Sequence, residues 1–332
     1  MTKINATGKL DSASLGNLLK RYARTSDRSV VMGPAVGLDA AAVKVRAGTL
    51  VMASDPVTYA SEQLGRYAVC VNANDIYVSG ARPRWFLADI LLPPGKARLA
   101  AGIFGQIHQA CGEQSISLIG GHTEMTPDLP RPMVAGFMVG ELLGKRPLSA
   151  ADVKPGDTII LTKGIAIEGT ALIARERYKE LTSKFPARLI SRARRFLHTP
   201  GLSVGPEAVI AVGGGAHALH DPTEGGLLNG LWEMAQASRV SLHVDAGVTP
   251  IYPETQAVCG HFSLDPLALL GSGALVIACS QRSATKICRA LGEAGIAGWK
   301  IGVAKKGRPV VHFRDGRTVK KSVTDEILKV LE

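Results

Sequence analysis

Four aspartates in small-residue, turn-rich contexts are the side chains of this chain best suited to chemistry. They are Asp39 in Gly-Leu-Asp-Ala-Ala-Ala-Val (37–43), Asp55 in Val-Met-Ala-Ser-Asp-Pro (51–56), Asp75 in Asn-Ala-Asn-Asp (72–75) and Asp221 in His-Asp-Pro-Thr-Glu-Gly-Gly (220–226). Each sits where a chain reversal would expose it. Carboxylates drawn from several segments, without His or Cys companions, suit a hard cation such as Mg²⁺ shared with a substrate's phosphates. The expectation is a phosphate-handling, nucleotide-using enzyme. Asp before Pro or Gly also makes turns and helix caps with no ligand at all, and that reading stays open for each position.

Three further features bear on phosphate. Lys163-Gly164 followed by Glu168-Gly169-Thr170 resembles a strand-to-helix turn that cradles phosphate, with free N–H donors at a helix start and a lysine charge beside them; it reads equally as a plain loop. His122 lies between Gly120-Gly121 and Thr123-Glu124, where the glycines would let a ligand approach the backbone. His220 stands beside Asp221. There is no G-x-x-x-x-G-K-[ST], no G-x-G-x-x-G after a strand and no Gly-x-Ser-x-Gly elbow. No histidine has zinc-ligand spacing to another. The five cysteines (Cys70, Cys111, Cys259, Cys279, Cys288) form no Cys-x-x-Cys pair and read as buried, reduced thiols.

The elements that must position these residues follow from periodicity. Leu15, Leu18, Leu19 and Tyr22 share one face of a helix over about 12–24. Short strands are expected near 29–32, 41–45 and 50–53, then a long helix over 62–79 that places Asn72 and Asp75 on one face. A strand (85–92), a helix (96–113), a strand (116–119) ending at the Gly-Gly-His motif and a strand (133–142) complete the first half. Lys154-Pro155-Gly156-Asp157 marks a turn, so the domain boundary is placed at 150/151, giving domains 1–150 and 151–332. Beyond it the pattern predicts strands near 158–162, 241–244, 274–278 and 298–304. Helices are expected near 187–196, 205–212, 226–238 and 283–294. The alternation lacks a sustained βαβ rhythm, so an α+β chain with mixed sheets is expected.

At 332 residues two domains are the default, and 46% hydrophobic with 20% charged residues is a globular composition. No stretch approaches the roughly 20 apolar residues that span a bilayer, and the start lacks a signal-peptide core, so a cytoplasmic protein with no membrane contact is expected. The net charge of +11 favours anionic ligands. Arg188, Arg192, Arg194 and Arg195, and the later run from Lys305 to Lys321, carry much of it. No aromatic side chains interleave to stack bases, so these charges read as solvated surface rather than a nucleic-acid path.

Taken in chain order, five blocks resemble the AIR synthase (PurM-like) superfamily, and within it the hydrogenase-maturation HypE-like proteins. They are Gly33-Pro34-x-x-Gly37-x-Asp39-Ala40-Ala41, Ser54-Asp55, Val71-Asn72-Ala73-Asn74-Asp75-Ile76-x-x-Ser79-Gly80-Ala81-x-Pro83, Gly120-Gly121-His122-Thr123-Glu124 and Asp221-Pro222-Thr223-Glu224-Gly225-Gly226-Leu227. The resemblance implies a two-domain fold: an N-terminal mixed-sheet domain that pairs across a homodimer, and a C-terminal α+β domain. It implies Mg²⁺ held by Asp39, Asp55, Asp75 and Asp221, and ATP lined by Lys9, Asn72, Asn74, Gly120, Gly121, Thr123 and Glu124. Further nucleotide contacts are expected from Gly164, Glu168, Thr223, Gly225 and Gly226, with Asp39, Asp221, His122 and Lys163 as catalytic groups. The activity implied is phosphorylation or activation of a carbonyl or amide oxygen of a small molecule. The alternative is a non-catalytic maturation factor with a protein partner. Three departures stand out. Leu38 occupies a position where many members carry a second acid. His122 stands where HypE-like proteins usually have Asp. The chain ends Ile327-Leu-Lys-Val-Leu-Glu332 without the Pro-Arg-x-Cys tail of HypE, so that tail's chemistry is not expected.

Overall fold

The computed structural model describes residues 8–9, 12–32, 42–45, 48–58, 60, 62–248 and 250–331. Asp39, Leu38 and the Gly33–Ala41 block lie outside them. The chain divides into two compact units, one of residues 1–76 and 81–143 and one of residues 77–80 and 144–332. This division falls after Leu143, a few residues ahead of the boundary expected at 150/151.

The first unit runs β1 (Gly8–Lys9), α1 (Ser12–Tyr22), β2 (Val30–Met32), β3 (Ala42–Val43), β4 (Leu50–Val57), α2 (Leu64–Val78), β5 (Ala81–Leu92), α3 (Leu99–Glu113), β6 (Ser117–Met125) and β7 (Met133–Leu142). The last two residues of α2 belong to the second unit. Five strands form one sheet in the order β1-β6-β5-β7-β4. Its β5–β6 pair is parallel and its other pairs antiparallel, as a mixed sheet requires, with α3 as the crossover. Alternation along β5 and β7 buries Phe86, Ala88, Ile90, Val134 and Met138. The sheet's other face stays half open: Met52 is 69% exposed and Phe137 42%. Helix α2 is small-residue-rich because it touches α3 backbone to backbone. A Cβ at Gly65 would stand 2.5 Å from the Ile103 carbonyl oxygen.

The second unit contains β8 (Thr158–Thr162), α4 (Ile167–Glu176), α5 (Tyr178–Thr182), α6 (Ala187–Arg194), α7 (Gly205–Gly214), β9 (Ala216–His220), α8 (Gly226–Ser238) and β10 (Ser241–Val244). Then follow α9 (Pro253–Phe262), β11 (Val276–Cys279), α10 (Gln281–Glu293), β12 (Gly298–Lys305), β13 (Val311–Phe313), β14 (Thr318–Val319) and α11 (Leu328–Leu331). Seven strands pair in the order β14-β13-β10-β12-β8-β11-β9. Leu227, Leu231 and Met234 of α8 pack with Ile159, Leu161, Leu242, Ile301 and Phe313 on one face. Central β8 is buried along its whole length, which is why Thr-Ile-Ile-Leu-Thr reads as a continuous rather than alternating run.

Two expectations about strands are corrected. Strand β4 continues through Asp55 and Pro56 to Val57, and β6 continues through Gly-Gly-His-Thr-Glu to Met125. Asp55 and His122 therefore sit within strands rather than at chain reversals. Pro56 is tolerated because β4 is an edge strand with β7 on one side only.

Candidate functional site

In the first unit the site begins with one amide. The Asn72 side chain is fully buried on α2, and its oxygen accepts from the Asp55 backbone N–H at 2.8 Å. Its Nδ2 donates to the Asp55 carbonyl at 3.1 Å and to the Ala68 carbonyl at 2.8 Å. Asn72 thus brackets both backbone groups of Asp55 on the outer side of edge strand β4. The partner strand makes room: Gly136 faces Asp55 across the ladder, and a Cβ there would stand 2.3 Å from Asn72 Nδ2. All of the amide's donors are used inside the protein, so Asn72 positions Asp55 instead of lining a nucleotide as expected. The Asp55 carboxylate itself is exposed and has no partner among the described residues.

The remaining polar groups of this unit divide by face. Asp89 of β5 and His122 of β6 stand side by side in register on the half-open face. His122 Nε2 lies 3.3 Å from Glu124 Oε2, and Thr126 donates to the other Glu124 oxygen at 3.0 Å. The backbone of Lys9 pairs opposite Glu124. Thr123 points to the buried face. Asn74 is wholly buried, Asp75 partly so, and both have partners within the protein. Gly121 adopts φ +132°, and a Cβ there would stand 2.1 Å from the Ala88 carbonyl oxygen. Gly121 is thus required where β6 runs against β5, next to their register shift. Among the described residues no three His, Cys, Asp or Glu side chains converge as a metal cage.

The second unit overturns the phosphate-cradle expectation. Lys163, at φ +57° and nearly buried, turns its ammonium inward. It donates to the Ser203 carbonyl at 2.8 Å and the Gly201 carbonyl at 3.3 Å, and lies 2.7 Å from Glu207 Oε1. That last contact is ionic, its geometry not that of an aligned hydrogen bond. Two carbonyls and one carboxylate thus surround the ammonium inside the unit. The N-terminal amides of α4 are also taken: Glu168 N–H donates to the Ser272 carbonyl, Gly169 N–H to Leu270 and Thr170 N–H to Ala166. Gly164 N–H bonds the Thr162 carbonyl, and the Tyr252 ring packs where a Gly164 Cβ would be. Lys163 and Gly164 form a structural turn, not a catalytic or nucleotide-binding one.

The Asp221-to-Gly226 loop is closed in the same manner. Gly225 N–H donates to Asp325 Oδ2 at 2.6 Å and Gly226 N–H to the Thr223 carbonyl at 3.0 Å. A Cβ on Gly225 would stand 2.0 Å from Asn229 Nδ2, and one on Gly226 2.5 Å from the Leu269 carbonyl oxygen. Asn229 donates to the carbonyls of Glu224 and Val323 and accepts from Val323 N–H. Behind the loop, burial pushes the Glu168 carboxyl up to about 7, helped by the charges of Glu224, Asp325 and Asp221 and opposed by a hydrogen bond with Ser272. Burial likewise pushes the thiols of Cys259 and Cys279 up to about 12, so neither is a nucleophile at neutral pH. Sequence reasoning missed Glu207, Asn229 and Asp325. Their partners lie 44, 94 and 100 residues away (207 − 163, 323 − 229, 325 − 225), and no local signal pairs them.

A five-stranded mixed sheet backed by helices, joined in one chain to a seven-stranded sheet with α8 on one face, defines a two-domain α+β class of protein. Residues 37–142 match the family model described as AIR synthase related protein, N-terminal domain, and residues 154–314 match the corresponding C-terminal domain. The chain belongs to the AIR synthase related family, and its fold is PurM-like. A carbamoyl dehydratase HypE of Cupriavidus necator is 28% identical over 296 residues, covering 84% of this chain and 80% of that protein. A selenide, water dikinase of Methanocaldococcus jannaschii is 27% identical over 320 residues, covering 90% of each. Among solved structures, that of the hydrogenase maturation protein HypE in complex with ATP superposes with a TM-score of 0.72 at 21% identity over 94% of both chains.

Proposed function

We propose that this chain is an ATP-using enzyme whose first unit holds Mg-ATP at Asp55, with Asp39 and Asp75 as further acids, and which phosphorylates or activates a carbonyl or amide oxygen of a small molecule. The observation that carries the reading is the Asn72 bracket. A buried amide on α2 holds the β4 backbone beneath an exposed carboxylate that has no partner among the described residues. An oxygen-only donor of this kind fits a hard cation such as Mg²⁺. Bound there, the metal would neutralise phosphate charge; Asp55 would hold it and Asn72 would fix Asp55, while His122 and Glu124 lie on the other face of the sheet. Relatives named carbamoyl dehydratase and selenide, water dikinase, and the HypE–ATP likeness, support nucleotide use.

A second reading, a non-catalytic nucleotide-binding maturation factor, is favoured by the internal use of Lys163 and of the α4 amides, which removes the phosphate-transfer lysine first expected. A solved HypE–HypF complex of the same fold supports a protein partner under that reading. Under either, the open apolar face around Met52 and Phe137 suits a homodimer. Among the described residues no helix is long and apolar enough to cross a membrane.

The test is the thermal midpoint with ATP, with and without Mg²⁺, for the parent and Asp55→Asn. Saturating ligand at about 100 times Kd stabilises by roughly 2.7 kcal/mol. The reading expects a Mg²⁺-enhanced shift in the parent and loss of the Mg²⁺ increment in the variant. An unchanged increment in the variant overturns the site. Phosphate release with candidate substrates then separates the enzyme from the factor.

A further inference from the structure

The second unit carries a cleft of about 690 Å³ on the outer face of β10, β12 and β13, within the size range of small-ligand sites. Helix α10 covers the neighbouring part of that face: a Cβ on Gly298 would touch Leu291, next to Ile160. Beyond the helix the strands lie bare, and Val303 is 41% exposed.

Two imidazoles occupy this bare sheet. His243 and His312 are direct neighbours across the parallel β10–β13 ladder, with ring centroids 4.9 Å apart and planes at 28°. Ser241 Oγ lies 3.1 Å from His243 Nε2, while His312 has no hydrogen-bond partner among the described residues. The charged groups facing the pair come from every adjoining element. Lys300 and Lys305 of β12 have no carboxylate partner; Lys300 reaches only the Thr285 hydroxyl, at 3.4 Å. Arg314 and Asp245 neutralise each other at 2.8 Å. Asp157, at the start of β8, is engaged by His217 at 2.9 Å. Lys300 therefore lines the cleft uncompensated, Lys305 stands beside it opposite Ser241, and among the described residues the cleft has no free carboxylate. Burial and the Lys305 charge, with His312 adding to them, hold His243 below its ordinary titration range.

We propose that this cleft binds an oxyanion of the phosphate class, either inorganic phosphate or the phosphate group of a small metabolite, with Lys300 and Lys305 supplying charge and His243 and His312 supplying ring N–H donors. Stacked imidazoles beside lysines suit an anion better than a cation: the lysines repel a metal ion, Asp245 is held by Arg314, and among the described residues no three metal-ligating side chains converge. Anion binding repays itself in protons, because a bound phosphate favours the imidazolium form of both rings. The site is independent of the Mg-ATP reading, which concerns the first unit.

The experiment follows the ring Cε1–H signals of the full-length protein through a pH titration, with inorganic phosphate against chloride at equal ionic strength. The six histidines outside the cleft, of eight in the chain, serve as internal references. Saturable shifts confined to two signals, assigned by His243→Gln and His312→Gln, with both midpoints moving upward, are the expected result. Lys300→Ala, a change at an exposed side chain with no fold to break, is expected to weaken phosphate about tenfold. Shifts equal in chloride, or phosphate affinity unchanged in Lys300→Ala, overturn the proposal. A glycerol phosphate arm that outcompetes inorganic phosphate identifies a metabolite as the source; equal or weaker competition identifies the free ion.

Discussion

Replacing Lys163 with methionine separates a structural lysine from a catalytic one. The change keeps most of the stem's volume but leaves the Glu207 carboxylate buried without its cation and the carbonyls of Gly201 and Ser203 without their donor. Both partners are nearly wholly buried, so solvent screens little of the loss. Breaking a buried pair from one side costs about 3–5 kcal/mol. With a urea dependence of roughly 2 kcal/mol per molar, that lowers the unfolding midpoint by about 1.5–2.5 M. Fluorescence of Trp232 and Trp299, both in the second unit, reports the transition. Lys163→Met/Glu207→Met is expected to regain most of the loss, because removing both charges also removes the uncompensated one. ATP affinity, measured on folded protein below the transition, is expected to stay within about twofold of the parent, under the 1.4 kcal/mol that makes a tenfold change. A variant that unfolds at the parent's urea concentration yet loses nucleotide binding refutes the structural assignment and restores Lys163 to the catalytic list.

The buried Glu168 carboxyl gives a pH-dependent prediction. Its folded value of about 7 exceeds the ordinary 4.5, so the folded state binds the extra proton and stability falls as pH rises across that window. Glu168→Gln is expected to match the parent below pH 4.5 and to exceed it by about 3 kcal/mol above 7, read from urea midpoints along a pH series; a difference that is flat with pH counts against it. Gly136→Ala forces a methyl to within 2.3 Å of Asn72 Nδ2 and is expected to mimic Asn72→Ala, each costing about 1–3 kcal/mol and the Mg²⁺-ATP thermal shift. A normal shift in both would detach Asp55 from the nucleotide. Asp325→Ala frees the Gly225 amide and should loosen the Asp221 loop, seen as faster hydrogen exchange at 223–228 with β8 unaffected.

Much of the element order was legible because glycine and proline punctuate it. The strands Met133–Leu142, Thr158–Thr162 and Ser241–Val244 and the helix Gly226–Ser238 lie where periodicity put them. The short β9, β13 and β14 and helix α9 were not read, since short runs carry little periodicity. The site was legible as a set of positions and less so as a set of roles. Asn72 was singled out for a ligand contact, whereas burial commits it to Asp55. A glycine-rich helix start looks the same in sequence whether its amides face phosphate or a loop. Here Leu270 and Ser272, a hundred residues on, decide it for α4. Gly121 was read as ligand access, and what requires it is the β5 backbone.

The Asp221 loop depends on chain made about a hundred residues after it. Asp325 holds Gly225 and Leu270, and Val323 is gripped by Asn229 through both its backbone groups. While the chain emerges from the ribosome, the strands flanking this loop can be complete and the loop still lack its anchors. The Gly225 amide meets its carboxylate only once residue 325 is available. A chain cut short before residue 323 would therefore carry every strand of this sheet and lack both anchors of the loop.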